Sequence, residues 1–413
     1  MSKEPEFHGG EDRPQRPAWR EGPELPAGVP AVHLKSIHFG TFFYDKMIGR
    51  VDGRPADGEL VAVADKAGKL FGWGFYNGRA PLRLRMFSRS AERPDESEIA
   101  RRIAQAVKLR RDVLHLDAAT DAYRLVHAEG DGLTGLIADR LGPHVAIELF
   151  SLAMYQRLGT IQDAFIDAGL SVQEFVVRAD RTVAEQEGIP LHKLRDPKAG
   201  SAMITENGVR FAVDLAKGHK TGFFCDQRDN RLALSRLTAG KRMLDVCCYT
   251  GGFGVYAAKL GQAAEVTGVD LDEKALPVAA RNAELNEVRI HFDHADAFDY
   301  LRRAAAEHRQ WDVVVVDPSK FVPRRSAMEL GLRKYADLNR LAAAAVAPGG
   351  ILLTCSCSGL VDQATFVQTV GRAIRTAGRT LHIFNITGAA ADHPFSAETP
   401  ESQYLKAVWG RVL

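Results

Sequence analysis

The stretch Met243-Leu-Asp-Val-Cys-Cys-Tyr-Thr-Gly-Gly-Phe-Gly254 decides the fold of this 413-residue chain. Its apolar start predicts a buried strand over 243–247, and the glycines that follow predict a tight turn into a helix. Lacking a Cβ, Gly251, Gly252 and Gly254 let the backbone turn sharply and approach a ligand closely. The same text recurs downstream, where residues 264–269, 313–316 and 351–354 read as strands separated by helices. Apolar strands alternating with helices predict an α/β fold with a doubly wound, mostly parallel sheet. Ligands bind such sheets at the carboxyl ends of the strands, so the residues just past each strand are the functional candidates.

Past the strand at 264–269 stands Asp270, a carboxylate able to accept hydrogen bonds from two ribose hydroxyls. A nicotinamide site wants G-x-G-x-x-G after the first strand, and Gly251, Gly252 and Gly254 do not supply that spacing. The form D-x-x-x-x-T-G-G-F starting at Asp245 looks instead like the first motif of class I methyltransferases, which points to S-adenosylmethionine. His294-Ala-Asp296-Ala-Phe298 places a further acid at a strand end.

Strand 313–316 runs into Asp317-Pro318-Ser319-Lys320-Phe321, and strand 351–354 into Cys355-Ser356-Cys357-Ser358-Gly359. Side by side, the two ends set an acid and a thiol beside a methyl donor. That combination suits methylation at pyrimidine C5, a carbon that becomes nucleophilic only after a thiolate has added at C6. Alternate residues of an extended segment point to opposite sides, so a single cysteine attacks. Cys357, in the turn beyond the strand edge, is the choice over the buried Cys355. A nearby carboxylate disfavours a thiolate, so Asp317 is left to the N3 edge of the base and Lys320 is the cation expected to favour Cys357 ionisation. Inert buried thiols are the ordinary alternative. The vicinal Cys247 and Cys248 lack the spaced partners of a zinc site and read as structural, so no metal is expected. Gly218–Gly222 does not satisfy a phosphate-loop pattern.

Working outward, Ala202 to Asp214 reads as two strands joined by Asn207-Gly208, a strong hairpin signal. Residues 121–195 read as a small α+β unit with strands at 133–139, 144–149 and 174–178 and a helix near 153–168. Residues 31–90 carry short apolar runs broken by turns, which predicts a small β-barrel, and a helix follows over about 96–115. Residues 1–30, with six prolines, four glycines and ten charged residues, read as a disordered tail. The net charge of +2 is unevenly placed: Arg79 to Arg111 holds ten Lys/Arg against four Asp/Glu. That excess fits a polyanion contact, with Arg79, Arg83, Arg85 and Arg89 the expected RNA-binding set; a solvated helix face is the alternative for Arg101, Arg102, Lys108, Arg110 and Arg111. Composition excludes a disordered, collagen-like or disulfide-framework protein. No apolar run approaches a membrane span and the first residues do not read as a signal peptide, so a cytoplasmic protein without membrane partners is expected.

Five segments together resemble one family: Gly218 to Arg231, Tyr249 to Phe253, Asp317 to Phe321, Ser356 to Gly359, and Ala391-Asp-His-Pro394. They are similar to the bacterial large-subunit (23S) rRNA 5-methylcytosine methyltransferases that carry an N-terminal PUA domain. The resemblance runs from about residue 31 to 413. It implies a PUA-like barrel (31–90), a central α+β domain (91–200) and a C-terminal Rossmann-like class I methyltransferase domain (201–413, with its hairpin at 201–215). It matches Ser356-Cys357 to the family's nucleophile motif. With it, the residues expected to hold S-adenosylmethionine are Thr221, Phe223, Gln227, Asp245, Tyr249, Thr250, Gly251, Asp270, Leu271, Asp296, Ala297 and Asp317. The implied partner is 23S rRNA, naked or in an early assembly intermediate, with a homodimer as the assembly to test. Two departures stand out: Ser319 replaces the second proline of D-P-P-K-F, which is expected to loosen the loop holding Asp317, and the PUA opening is altered at His38 to Phe43. The competing functions are a guanine-nitrogen rRNA methyltransferase without a covalent intermediate, an RNA-binding assembly factor with impaired catalysis, and a small-molecule methyltransferase.

Overall fold

The computed structural model describes residues 22–216 and 221–413. Most of the expected tail, and Gly218 to Lys220 of the first family segment, lie outside the described residues. The chain forms two compact units, one running to His38 and resuming at Phe42–Pro94, the other comprising Phe39–Thr41 and Asp95–Leu413.

The first unit is a six-stranded sheet. Its ladder runs Phe42–Tyr44, Leu82–Ser88, Leu70–Tyr76, Leu60–Ala64, Ala31–Leu34, Ile48–Asp52. Leu60–Ala64 is buried throughout, and Val32, Phe43, Val61, Val63 and Leu84 pack into one core. Gly72 permits a close approach, because a Cβ there would stand 2.3 Å from the Ser88 carbonyl oxygen. The tail expectation needs correcting at its end: the Leu70 N–H donates to the Pro23 carbonyl at 2.8 Å and the Ala62 N–H to that of Pro30 at 3.0 Å. Backbone hydrogen bonds hold the segment from Pro23 in spite of its composition.

In the second unit, a four-stranded sheet is ordered Glu174–Arg178, His144–Leu149, Leu136–Leu141, Ala122–His127. The last of these strands was not expected, because Arg124 and His127 make it read polar. Both are buried, and Arg124 pairs with the fully buried Asp139 at 2.5 Å. The helix Ser97–Lys108 continues into a π-turn at Leu109–Val113. It is no uniform solvated face: Arg110 is fully buried, 2.6 Å from Asp131 and donating to the Asp392 carbonyl at 2.7 Å. The hairpin pairs Ser201–Glu206 with Val209–Asp214, and Asn207 and Gly208 both take positive φ (50° and 79°), as a type I′ turn requires.

The largest sheet has seven strands: β1 (Arg242–Val246), β2 (Glu265–Asp270), β3 (His291–His294), β4 (Trp311–Val316), β5 (Val346–Ser356), β6 (Leu381–Thr387) and β7 (Lys406–Val412). Their order is 3-2-1-4-5-7-6. All neighbours are parallel except β7, which is antiparallel to both β5 and β6. Val313 to Val316 are fully buried between helical layers, which is why β4 reads as an unbroken apolar run. Residues 95–413 being one unit, the expected division at 200/201 is not a separation in space. Asp392, between β6 and β7, accepts from the Arg124 backbone N–H (2.8 Å) and from the Arg228 guanidinium (2.9 and 3.0 Å).

Candidate active site

The carboxyl ends of β1 and β2 build one half of the site. In the turn after β1, Cys247, Tyr249 and Gly251 have positive φ (62°, 50° and 82°), a conformation costly for the two non-glycine residues. The turn is held from β2: the Tyr249 N–H donates to Asp270 Oδ2 at 2.7 Å, and the Asp272 N–H to Oδ1 at 2.8 Å. Asp245 Oδ2 accepts from the Gly254 N–H at 3.0 Å, while Oδ1 is buried without a hydrogen-bond partner among the described residues. Burial pushes this carboxyl up to about 7, and the charges of Asp317 and Asp270 push the same way. Thr250 is held by Asn282, whose amide donates to the Thr250 carbonyl at 2.9 Å. Asp296 caps the helix Ala297–Ala306 through the Phe298 and Asp299 N–H groups, and Leu271, the residue after β2, is 63% exposed. A glycine cradle with an orphaned buried carboxylate oxygen fits a ligand that carries an amino group and a ribose.

The ends of β4 and β5 build the other half. Val316 pairs with Thr354 in register, so the segments after the two strands leave the sheet side by side. Cys357 lies just past the end of β5, with its Sγ 3.8 Å from the Pro318 carbonyl oxygen. Cys355 is fully buried in the core, and burial pushes its thiol well above the ordinary value, with Asp317 adding to the effect. Cys247 and Cys248 are likewise raised, chiefly by burial. The Gln227 amide donates to Asp317 Oδ2 at 2.9 Å. The Ser319 loop is tied down from the cysteine segment, since the Val322 N–H donates to Ser358 Oγ at 3.1 Å.

The residue that sequence reasoning missed is Lys406. It sits opposite Ser356 in the β5–β7 ladder, is only 4% exposed, and its Nζ donates to the Ser358 and Tyr404 carbonyls, each at 2.7 Å. Burial lowers its ammonium to about 8, the Lys320 charge lowers it further, and Cys357 and Asp362 oppose that shift. A lysine opening the apolar stretch Ala407-Val-Trp409 was the available signal. A cavity of about 410 Å³ lies along the same segment, lined by Ala389, Ala391, His393, Phe395, Gln403 and Tyr404 among others.

Several expected residues are engaged elsewhere. Thr221 donates through its hydroxyl to Asp139 of the central sheet, and Phe223 packs in a core with Phe211 and Tyr256 beneath the Arg231 guanidinium. Their side chains serve packing. Lys320 is exposed. Of the four barrel arginines, Arg83 pairs with Asp45 at 2.8 Å, Arg85 lies over Phe42 and Arg89 over Phe71, while Arg79 is exposed with Asp57 at 3.7 Å. Among the described residues no group of His, Cys, Asp and Glu is arranged to hold a metal ion, and no helix is long and apolar enough to cross a membrane.

The family described as S-adenosylmethionine-dependent methyltransferase matches residues 190–389, and the PUA-like domain family matches residues 38–89. A protein of Aeromonas hydrophila named ribosomal RNA large subunit methyltransferase I is 37% identical over 376 residues, covering 89% of this chain and 94% of its own. The protein of that name in Vibrio parahaemolyticus is 37% identical over 382 residues, covering 90% and 95%. The chain belongs to this family of PUA-containing methyltransferases. The methyltransferase also superposes on solved structures: a putative SAM-dependent methyltransferase from Streptococcus mutans (TM-score 0.77, 21% identity, 92% of this chain and 99% of that one) and a putative methyltransferase complexed with SAH (0.76, 20%, 94% and 100%). At those identities the likeness is one of fold. S-adenosylmethionine is the methyltransferase's cofactor, and the cradle at Asp245, Gly251 and Asp270 fits it.

Proposed function

We propose that the protein methylates C5 of a cytosine in large-subunit rRNA through a covalent adduct with Cys357. The observation that carries the reading is the placement of the Cys357 thiol 3.8 Å from the carbonyl oxygen of Pro318, the residue that follows Asp317. The names of the relatives support an RNA substrate, and the arginine-rich first unit supports a polyanion.

The chain's own groups then divide the work. Cys357 Sγ adds to C6 of a base turned out of its stack, and Asp317 engages the N3 edge, so electron density moves to C5. When bound, S-adenosylmethionine supplies an electrophilic methyl group to that carbon. A base removes the C5 proton, the Sγ–C6 bond breaks, and the thiolate returns. Lys406, buried against the Cys357 segment, replaces Lys320 as the cation that favours the thiolate. The need for an extruded nucleotide suits naked or early-assembly rRNA in the cytoplasm.

The test is adduct trapping with 5-fluorocytosine RNA and methyl mapping of rRNA. Cys357→Ala should lose both the adduct and methylation while still binding the donor, and Cys355→Ala should keep both. An active Cys357→Ala variant would transfer the reading to methylation of a guanine nitrogen.

A further inference from the structure

Four hydrogen bonds form an unbroken line from β7 to the acid of the site. Trp409 Nε1 donates to Thr387 Oγ1 at 2.8 Å, Thr387 Oγ1 donates to Asn230 Oδ1 at 2.7 Å, Asn230 Nδ2 donates to Gln227 Oε1 at 2.6 Å, and Gln227 Nε2 donates to Asp317 Oδ2 at 2.9 Å. Trp409, Asn230 and Gln227 are each at most 3% exposed. The carriers come from β7, the end of β6 and the segment 227–235, so nothing local in sequence links them.

The direction of the line is not free. An indole N–H can only donate, so the Thr387 hydroxyl accepts there and has its proton for Asn230. At Asn230 a second constraint acts, because Nδ2 also donates to the Gly388 carbonyl at 3.2 Å, an atom that can only accept. The Asn230 amide therefore cannot turn over. Its N–H faces Gln227, Gln227 must answer with Oε1, and the Gln227 N–H is left for Asp317.

We propose that Gln227 and Asn230 are positioning residues whose fixed polarity keeps an N–H donor on Asp317 and so holds its carboxylate in orientation for the base. This rests on the role given to Asp317 above. A donor to a carboxylate favours the charged form, and an amide oxygen in the same place disfavours it. Among the described residues, Asp245 on β1 and the thiols Cys247 and Cys355 also interact with Asp317, and Cys357 lies against the adjoining Pro318. Reversing the amides changes none of the charges among them, though it turns the Gln227 group that bonds to Cys355.

Asn230→Asp reverses them. A carboxylate at 230 cannot donate to Gln227 Oε1, so Gln227 turns its N–H to residue 230 and its oxygen to Asp317. Thr387→Val removes an earlier link but leaves Asn230 fixed by Gly388. In single-turnover methylation across pH, Asn230→Asp should move the limb governed by Asp317 upward by about one unit. Thr387→Val should move that limb by less than about 0.3 unit. Both should bind S-adenosylmethionine within about twofold of the parent by calorimetry, a split that a merely structural role would not produce. If Asn230→Asp fails to fold, Gln227→Met removes the same donor and should give the same upward shift. An Asn230→Asp or Gln227→Met profile that coincides with the parent's overturns the proposal. Loss of the Cys357 adduct in the parent overturns the cytosine reading instead, and leaves the limb shift as a separate measurement.

Discussion

Replacing Lys406 with methionine separates the energetic role of the buried ammonium from its chemical role. Its ammonium falls from the ordinary 10.5 to about 8, which at about 1.4 kcal/mol per unit makes the buried charge cost about 3 kcal/mol at neutral pH. The substitution relieves that cost but strands the Ser358 and Tyr404 carbonyls, each worth about 1–3 kcal/mol when a buried partner is lost. The two contributions nearly offset, so the melting temperature should move little. The thiol should respond much more. The ammonium and Cys357 interact electrostatically; at an effective dielectric constant of about 20 a pair of opposite charges is worth about 4 kcal/mol at about 4 Å and less in proportion to distance, so losing the ammonium should raise the Cys357 midpoint by about one unit or more. The assay is iodoacetamide alkylation against pH with peptide mapping of Cys357; Cys225, Cys247, Cys248 and Cys355 are all raised by burial and react slowly. An alkylation midpoint in Lys406→Met equal to the parent's would refute the assignment. The sign of the linked stability effect also follows: between about 8 and 10.5 the unfolded chain binds the extra proton, so the parent gains stability as pH rises through that window, and Lys406→Met should lack this gain.

Asp270→Ala should weaken S-adenosylmethionine binding at least about tenfold by calorimetry, since the carboxylate orders the Tyr249 turn and is the group expected to meet the ribose. The Arg79, Arg83, Arg85 and Arg89 quadruple alanine variant should show a flatter dependence of RNA affinity on salt than the parent; equal slopes would show that the stretch carries no phosphate contact. Asp392→Ala should cost about 3–5 kcal/mol in denaturant unfolding by leaving Arg228 charged and buried. Burial opposes the Asp392 charge, yet His393 and Arg228 hold its carboxyl far below the ordinary range, so its stabilisation is present at neutral pH and is lost as pH falls beneath the usual carboxylate value.

The turn after β1, the Asp317 and Cys357 segments and the Asn207-Gly208 hairpin were legible because each is a local matter of apolar run, turn chemistry and strand end. Lys406 was not, since only the return of β7 between β5 and β6 brings it beside a segment some fifty residues earlier. Ala122–His127 was missed for a related reason. Its polar residues are satisfied by Asp139, Asp131 and Asp392, partners that no periodicity within the strand reveals. Gln227, expected beside the cofactor, has its amide against Asp317, a contact set by the line of buried amides that the motif around it does not reveal.

The Asp392 carboxylate, shared between the Arg124 backbone and the Arg228 guanidinium, bears on how this architecture can be rearranged by recombination. A gene fusion that exchanged the catalytic sheet at residue 200 would part Arg110 and Arg124 from the acceptors that Asp392 supplies, while Arg228 would keep its carboxylate because both lie beyond that point. The central sheet therefore travels with the catalytic sheet as a single heritable block.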